Sequence, residues 1–178
     1  MSSKTELAKQ YHDRGFNCAQ SVLATFSQDY GLGEEAALKI STGFGSGMGR
    51  LCEVCGALTG AFMVIGLKHG RVISDGTKYG PNTETTYGLV AEVSRRFKDR
   101  NKSIYCRELI GHDLSIPEER EKARQAGLFA TTCSKCIQDA VELVEDVVRE
   151  QPAHARAPNN DGKHSTSRTP REEPRGGP

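Results

Sequence analysis

Apolar residues recur at three- and four-residue steps along most of the first 150 positions, the spacing of one face of an α-helix, and no alternation of period two runs for more than a few residues. Ser3 followed by Glu6 has the spacing of a capping box, and Leu7, Ala8 and Tyr11 then share a face until Gly15, so a first helix is expected near residues 4–14. Asn17 is a natural cap for a second helix, in which Cys18, Val22, Leu23 and Phe26 repeat up to Gly31. A short third helix is expected over residues 34–41. Gly43-Phe-Gly-Ser-Gly-Met-Gly49 then supplies four glycines in seven positions, a flexible or tightly turning connection.

Residues 51–68 are small or apolar nearly all round, and Gly56 and Gly60 stand four apart, where another helix could approach closely. This stretch reads as the central buried helix. Residues 83–100 read as an amphipathic helix with Tyr87, Val90, Ala91 and Phe97 inward. Ser103 is expected to cap a turn holding Tyr105, Cys106, Leu109 and Ile110, stopped by Gly111. A charged helix starts at Pro117 and ends by Gly127. The last helix, residues 132–149, turns Cys136, Ala140, Leu143 and Val147 inward and Asp139, Glu142, Glu145 and Asp146 outward. Only residues 70–79 could conceal a short hairpin. The predicted fold class is all-α, a compact multi-helix bundle.

The pattern stops at position 151. From there to the end the chain has no Val, Ile, Leu, Met or aromatic residue but holds five of its seven prolines. Such a segment cannot offset its lost conformational entropy by burial, so two units are expected: a helical domain over residues 1–150 and a disordered polar tail over 151–178. Without the tail the chain has 19 Lys and Arg against 20 Asp and Glu, a formal charge of −1. That charge argues against a nucleic-acid partner. The N-terminus lacks the apolar centre of a secretory signal, and the most apolar stretch, Ala61 to Leu67, is far shorter than the roughly 20 residues that cross a bilayer. A cytoplasmic location with no membrane span is therefore expected.

Six cysteines in such a chain point to redox or metal chemistry rather than a disulfide framework, since cytoplasmic thiols are kept reduced and the domain is large enough to fold without bridges. Cys52 and Cys55 are three apart at the expected start of the buried helix, as are Cys133 and Cys136 at the start of the last. On a helix that spacing puts both thiols on one face. Cys18 and Cys106 also fall in expected first turns, where free amides and the helix dipole favour a thiolate, and Arg107 and Lys135 add positive charge. A lone cysteine in a helix is ordinarily packing, so the weight rests on the repeated pairs.

Two C-x-x-C pairs can also hold zinc or an iron–sulfur cluster, and spacing alone does not choose. The glycine run fits no G-x-G-x-x-G window and follows no strand. Its expected role is to bring backbone close to the thiols. Gly47 and Gly49 offer amides to a thiolate or other anion, and Gly56 is a third position where a bound group could approach. His12, His69 and His112 lack ligand spacing, and no hydrolase motif is present.

Cys55-Gly-Ala-Leu-Thr-Gly60 resembles the CGAxxG signature of the C-GCAxxG-C-C family of redox-active proteins. Phe44-Gly-Ser-Gly-Met-Gly-Arg50 resembles the family's glycine-rich lead-in, Asn17-Cys-Ala-Gln20 its first cysteine, Cys106-Arg-Glu-Leu109 its third and Cys133-Ser-Lys135 its fourth. The resemblance spans residues 5–148. It implies that Cys18, Cys55, Cys106 and Cys133 are the functional set and gather in space, with Cys52 and Cys136 as additions to the pattern.

The leading expectation is a thiol redox protein, possessing thiol/disulfide oxidoreductase-like chemistry, in which Cys55 attacks and Cys52 or Cys18 resolves. One alternative is a metal or iron–sulfur protein with Cys18, Cys55, Cys106 and Cys133 as ligands; another is a structural helical module with inert thiols. The redox partner is unspecified, and pairing with a second copy as a homodimer stays open.

Overall fold

The structure, a computed structural model, describes residues 2–74 and 76–150. The expected polar tail, residues 151–178, lies outside the described residues. Helix α1 (Ser3–Asp13) is capped by Ser2, whose hydroxyl accepts from the Thr5 amide, so the cap falls one residue before the expected Ser3. Helix α2 (Cys18–Ser27) has a full capping box: the Asn17 side chain accepts from the amides of Ala19 and Gln20, and Gln20 answers to the Asn17 amide. Helix α3 (Glu34–Ser41) follows.

After a 3-10 turn, Thr42–Phe44, comes the short turn α4 (Gly45–Met48), which is wound the wrong way. Ser46, Gly47, Met48, Gly49 and Arg50 all have φ between 53° and 72°, and the Gly49 amide closes the turn on the Gly45 carbonyl at 2.9 Å. L-residues disfavour this hand, because Cβ crowds the following carbonyl oxygen. Three of the five are not glycine, so the surrounding structure must enforce the turn. A further left-handed residue, Cys52, keeps the right-handed helix from starting at residue 51. Helix α5 (Gly56–His69) begins only after Cys55.

Helix α5 is the centre of the bundle. It packs against α2, against α6 (Pro81–Asn101) and against α9 (Ser134–Glu150), while α1 spans α2 and α9. Its small residues let α2 come close: a Cβ at Gly60 would stand 2.9 Å from both the Ala19 carbonyl oxygen and the Val22 Cβ. Leu58, Val64 and Ile65 of α5, Phe97 of α6 and Ile137, Leu143 and Val144 of α9 fill the main core. The buried face of α6 is Leu89, Val93 and Phe97, with Val90 half-buried against the core, so of the expected set Phe97 and Val90 face inward. Tyr87 and Ala91 are exposed, and Tyr87 lies beside Tyr79 on the surface. The expected inward face of α9 is buried throughout.

Helices α7 (Cys106–Ile110) and α8 (Pro117–Gln125) cover a smaller cluster of Cys52, Cys106, Ile110, Leu114 and Ala123. Tyr105 occupies the cap position of α7. Ser103, the expected cap, instead accepts from the Tyr105 amide and donates to Glu108. The run before α5 pairs antiparallel with the run before α7: Cys55 N donates to Ile104 O, and Cys106 N to Glu53 O. Beyond this isolated pairing no strand occurs among the described residues, and the described part of 70–79 shows no hairpin. The fold is all-α. No helix among the described residues is long and apolar enough to cross a membrane.

Candidate thiol site

Four chain segments deliver cysteines to one place. Cys18 is the first residue of α2, held there by the Asn17 cap; Asn17 also ties to the Thr42 carbonyl ahead of the left-handed turn. Cys55 is the cap residue of α5. Gly56 fixes the two helix starts together, since a Cβ there would lie 3.3 Å from the Cys18 Cβ and 3.0 Å from the Phe44 carbonyl oxygen. Cys106 opens α7, with Gly47 against it: a Cβ on Gly47 would come within 2.7 Å of the Cys106 Cβ. Cys133 closes a π-turn, Phe129–Cys133, whose wide Cys133 N to Leu128 O bond leads straight into α9, and Cys136 follows one turn later. Single π-turns inside helices recur at functional sites.

These five cysteines line one cavity of about 180 Å³, whose wall is completed by His12, Asn17, Ser46, Leu109, Phe129 and Thr132, among others. Cys55, Cys106 and Cys136 are buried, whereas Cys18 and Cys133 are half-buried, as are Phe129 and Thr132 beside them. All six cysteines are free thiols. Within the cavity Cys136 neighbours Cys55, and Cys133 neighbours Cys18.

The pairs set the electrostatics. The neighbouring Cys136 favours the Cys55 thiolate, and the backbone at Ala57 and Leu58, where α5 starts, adds to this, so Cys55 sits below the ordinary thiol range in spite of its burial. Cys136 is correspondingly pushed far up by its neighbour Cys55 and by burial. Cys18 is raised by Cys133 beside it and by burial, and Cys106 is raised mainly by burial. Burial also lowers the pKa of His12, whose Nδ1 lies 3.3 Å from the Ser134 hydroxyl. Of the cavity thiols with a resolved shift, Cys55 is the one biased toward thiolate.

Cys52 is placed elsewhere. Its left-handed backbone breaks the shared helical face expected for Cys52 and Cys55, and its sulfur accepts from the Leu114 amide at 3.1 Å in the smaller cluster. The glycine positions divide as well: Gly56 lines the cavity, Gly47 is packed against protein, and Gly49 lies exposed at the end of the left-handed turn. Among the described residues no three His, Cys, Asp or Glu side chains are gathered around a common point for one metal ion. Spacing carried no signal for His12, Phe129 or Thr132 as wall residues, nor for the pairing of Cys55 with Cys136, because each of these meetings is made across helices.

No curated protein and no solved structure matches the chain significantly. One family model does, over residues 16–147, and that family carries the description "Putative redox-active protein (C_GCAxxG_C_C)". With the match covering most of the chain and all of the cavity-lining thiols, the protein belongs to the C_GCAxxG_C_C family of redox-active proteins.

Proposed function

We propose that this protein is a thiol/disulfide redox protein in which Cys55 is the attacking thiol and Cys136 resolves. The observation that carries this reading is the environment of Cys55: a thiol at the cap position of α5, where the helix begins, that shares one cavity wall with Cys136. A thiolate is the nucleophile in exchange, and this is the thiol of the site whose ionised form is stabilised.

The Cys55 thiolate attacks one sulfur of a small disulfide, forming a mixed disulfide and releasing the first thiolate. Cys136 gives up its proton and attacks the Cys55 sulfur, forming the Cys55–Cys136 bond and releasing the second. Two electrons pass to the substrate, and its two leaving sulfurs take up the two protons from the protein thiols. A dithiol donor reverses both steps. The contact between Cys136 and Cys55 favours Cys136 for the second step over Cys18, and over Cys52, which faces the other cluster.

The test is oxidation of reduced, anaerobically purified protein with 2-hydroxyethyl disulfide, followed by acid quench and peptide mass mapping. The expected product has lost about 2 Da and joins Cys55 to Cys136, with the mass regained on reduction. Oxidation of Cys55→Ser should slow by about tenfold or more; an unslowed rate in that variant refutes the assignment. A metal or cluster mass on the native protein, displaced only when the thiols are oxidised, would instead make the cysteines ligands.

A further inference from the structure

The Cys55/Cys136 chemistry leaves two further thiols, Cys18 and Cys133, lining the same cavity without a task. Cys133 and Cys18 are both half-buried, while Cys55 is 5% and Cys136 3% exposed. Cys133 belongs to the π-turn, whose residues Phe129 to Cys133 are all half-buried or exposed, so that turn is the solvent flank of the cavity. A cavity of about 180 Å³ holds a molecule little larger than benzene, since an apolar cavity of about 150 Å³ takes up that ring. A folded protein carrying a dithiol cannot bring its sulfur to Cys55 through such a space.

We infer that Cys133, with Cys18 as its partner thiol, is the port through which a macromolecular dithiol exchanges electrons with the buried Cys55/Cys136 pair. This rests on the thiol-exchange reading above. Cys133 stands one turn from Cys136 on a single helical run, and Cys18 packs against Gly56 next to Cys55, so each outer sulfur has an inner neighbour. Starting from the Cys55–Cys136 disulfide, Cys133 loses its proton and attacks the Cys136 sulfur. The Cys133–Cys136 bond forms, and Cys55 leaves as thiolate. Cys18, deprotonated in turn, attacks Cys133, forming Cys18–Cys133 and freeing Cys136. One S–S bond has moved, the protons of Cys133 and Cys18 have passed to Cys55 and Cys136, and no electron has entered or left. The outer disulfide then takes two electrons and two protons from the partner's dithiol, which closes to a disulfide.

The probe is reduced thioredoxin, a folded protein dithiol, compared with dithiothreitol, which is small enough for the cavity. Protein oxidised with 2-hydroxyethyl disulfide is mixed with either reductant, and loss of its disulfide is followed by quenched mass mapping. In Cys133→Ser, and separately in Cys18→Ala, the ratio of the thioredoxin rate to the dithiothreitol rate should fall by about tenfold or more. An unchanged ratio in both variants overturns the relay while leaving the Cys55–Cys136 reading intact; failure of the inner disulfide to form at all overturns both. A single-cysteine thioredoxin should be trapped as a mixed disulfide on Cys133 or Cys18. Trapping on Cys55, Cys136, Cys52 or Cys106, or no trapping, overturns it.

Discussion

Cys55 illustrates how one residue's chemistry is set by what donates to it. The neighbouring Cys136 and the backbone amides at the start of α5 lower its thiol below the ordinary range against the effect of burial. Its alkylation by iodoacetamide should therefore rise with pH through a midpoint below the ordinary thiol value of about 8.5. Removing that neighbour in Cys136→Ala should move the midpoint up. A midpoint unmoved in that variant would mean the amides alone set the ionisation. Gly47 makes a different point at the same scale. Its φ of 66° is one that side chains avoid, and the space for a Cβ is already filled by Cys106 and by the backbone of Cys52 and Glu53. Gly47→Ala should cost about 2–4 kcal/mol in urea unfolding. Gly49→Ala shares the backbone strain but meets nothing nearer than the Gly43 oxygen at 3.5 Å, and should cost only about 1 kcal/mol.

Among the elements, the start of α2 has the most direct bearing on the site. Asn17 satisfies two amides there and also donates to the Thr42 carbonyl, so one side chain fixes both the first turn holding Cys18 and the approach to the left-handed turn. Asn17→Ala should lower stability by about 1–2 kcal/mol. It should also speed hydrogen exchange at the amides of Ala19 and Gln20 ahead of the rest of α2; uniform protection across the helix would show that packing alone holds the turn. That cap was legible from position and residue type, as were α3 and the buried stripe of α9. The start of α5 was not. Residues 51–55 are as apolar as a helix, but Arg50 and Cys52 take left-handed backbone and the segment bonds to residues 104–107 instead, a choice made by a partner far along the chain.

Over the whole molecule, collecting thiols in a closed space has a thermodynamic consequence. Cys18, Cys106 and Cys136 all have raised values in the folded state, so above about pH 8.5 the unfolded chain releases thiol protons that the folded chain keeps. Fewer protons bound to the unfolded state means that stability falls as pH rises. Cys55 acts in the opposite sense: its depressed value contributes stability that is present above the unfolded thiol value and lost as pH falls through its folded one. Three groups against one predict a urea midpoint that drops between pH 7.5 and 9.5 under anaerobic, reducing conditions. A midpoint that held or rose over that range would contradict the arrangement of ionisable thiols described here.

The sequence by itself determined the helices, the buried character of α5 and the identity of the reactive residue type, because periodicity, caps and the CGAxxG signature are local properties. It also put four helix starts or turns next to cysteines, which is most of what the site is made from. Tertiary structure decided which sulfurs meet. Gly56 and Gly60 draw α2 onto α5, Gly47 admits Cys106, and the π-turn with the start of α9 brings Cys133 and Cys136 to the same cavity. The same packing turned Cys52, three residues from Cys55, away into the cluster beneath α7 and α8. Sequence spacing fixes neighbours along one helix, whereas a thiol pair across helices exists only once the helices have packed.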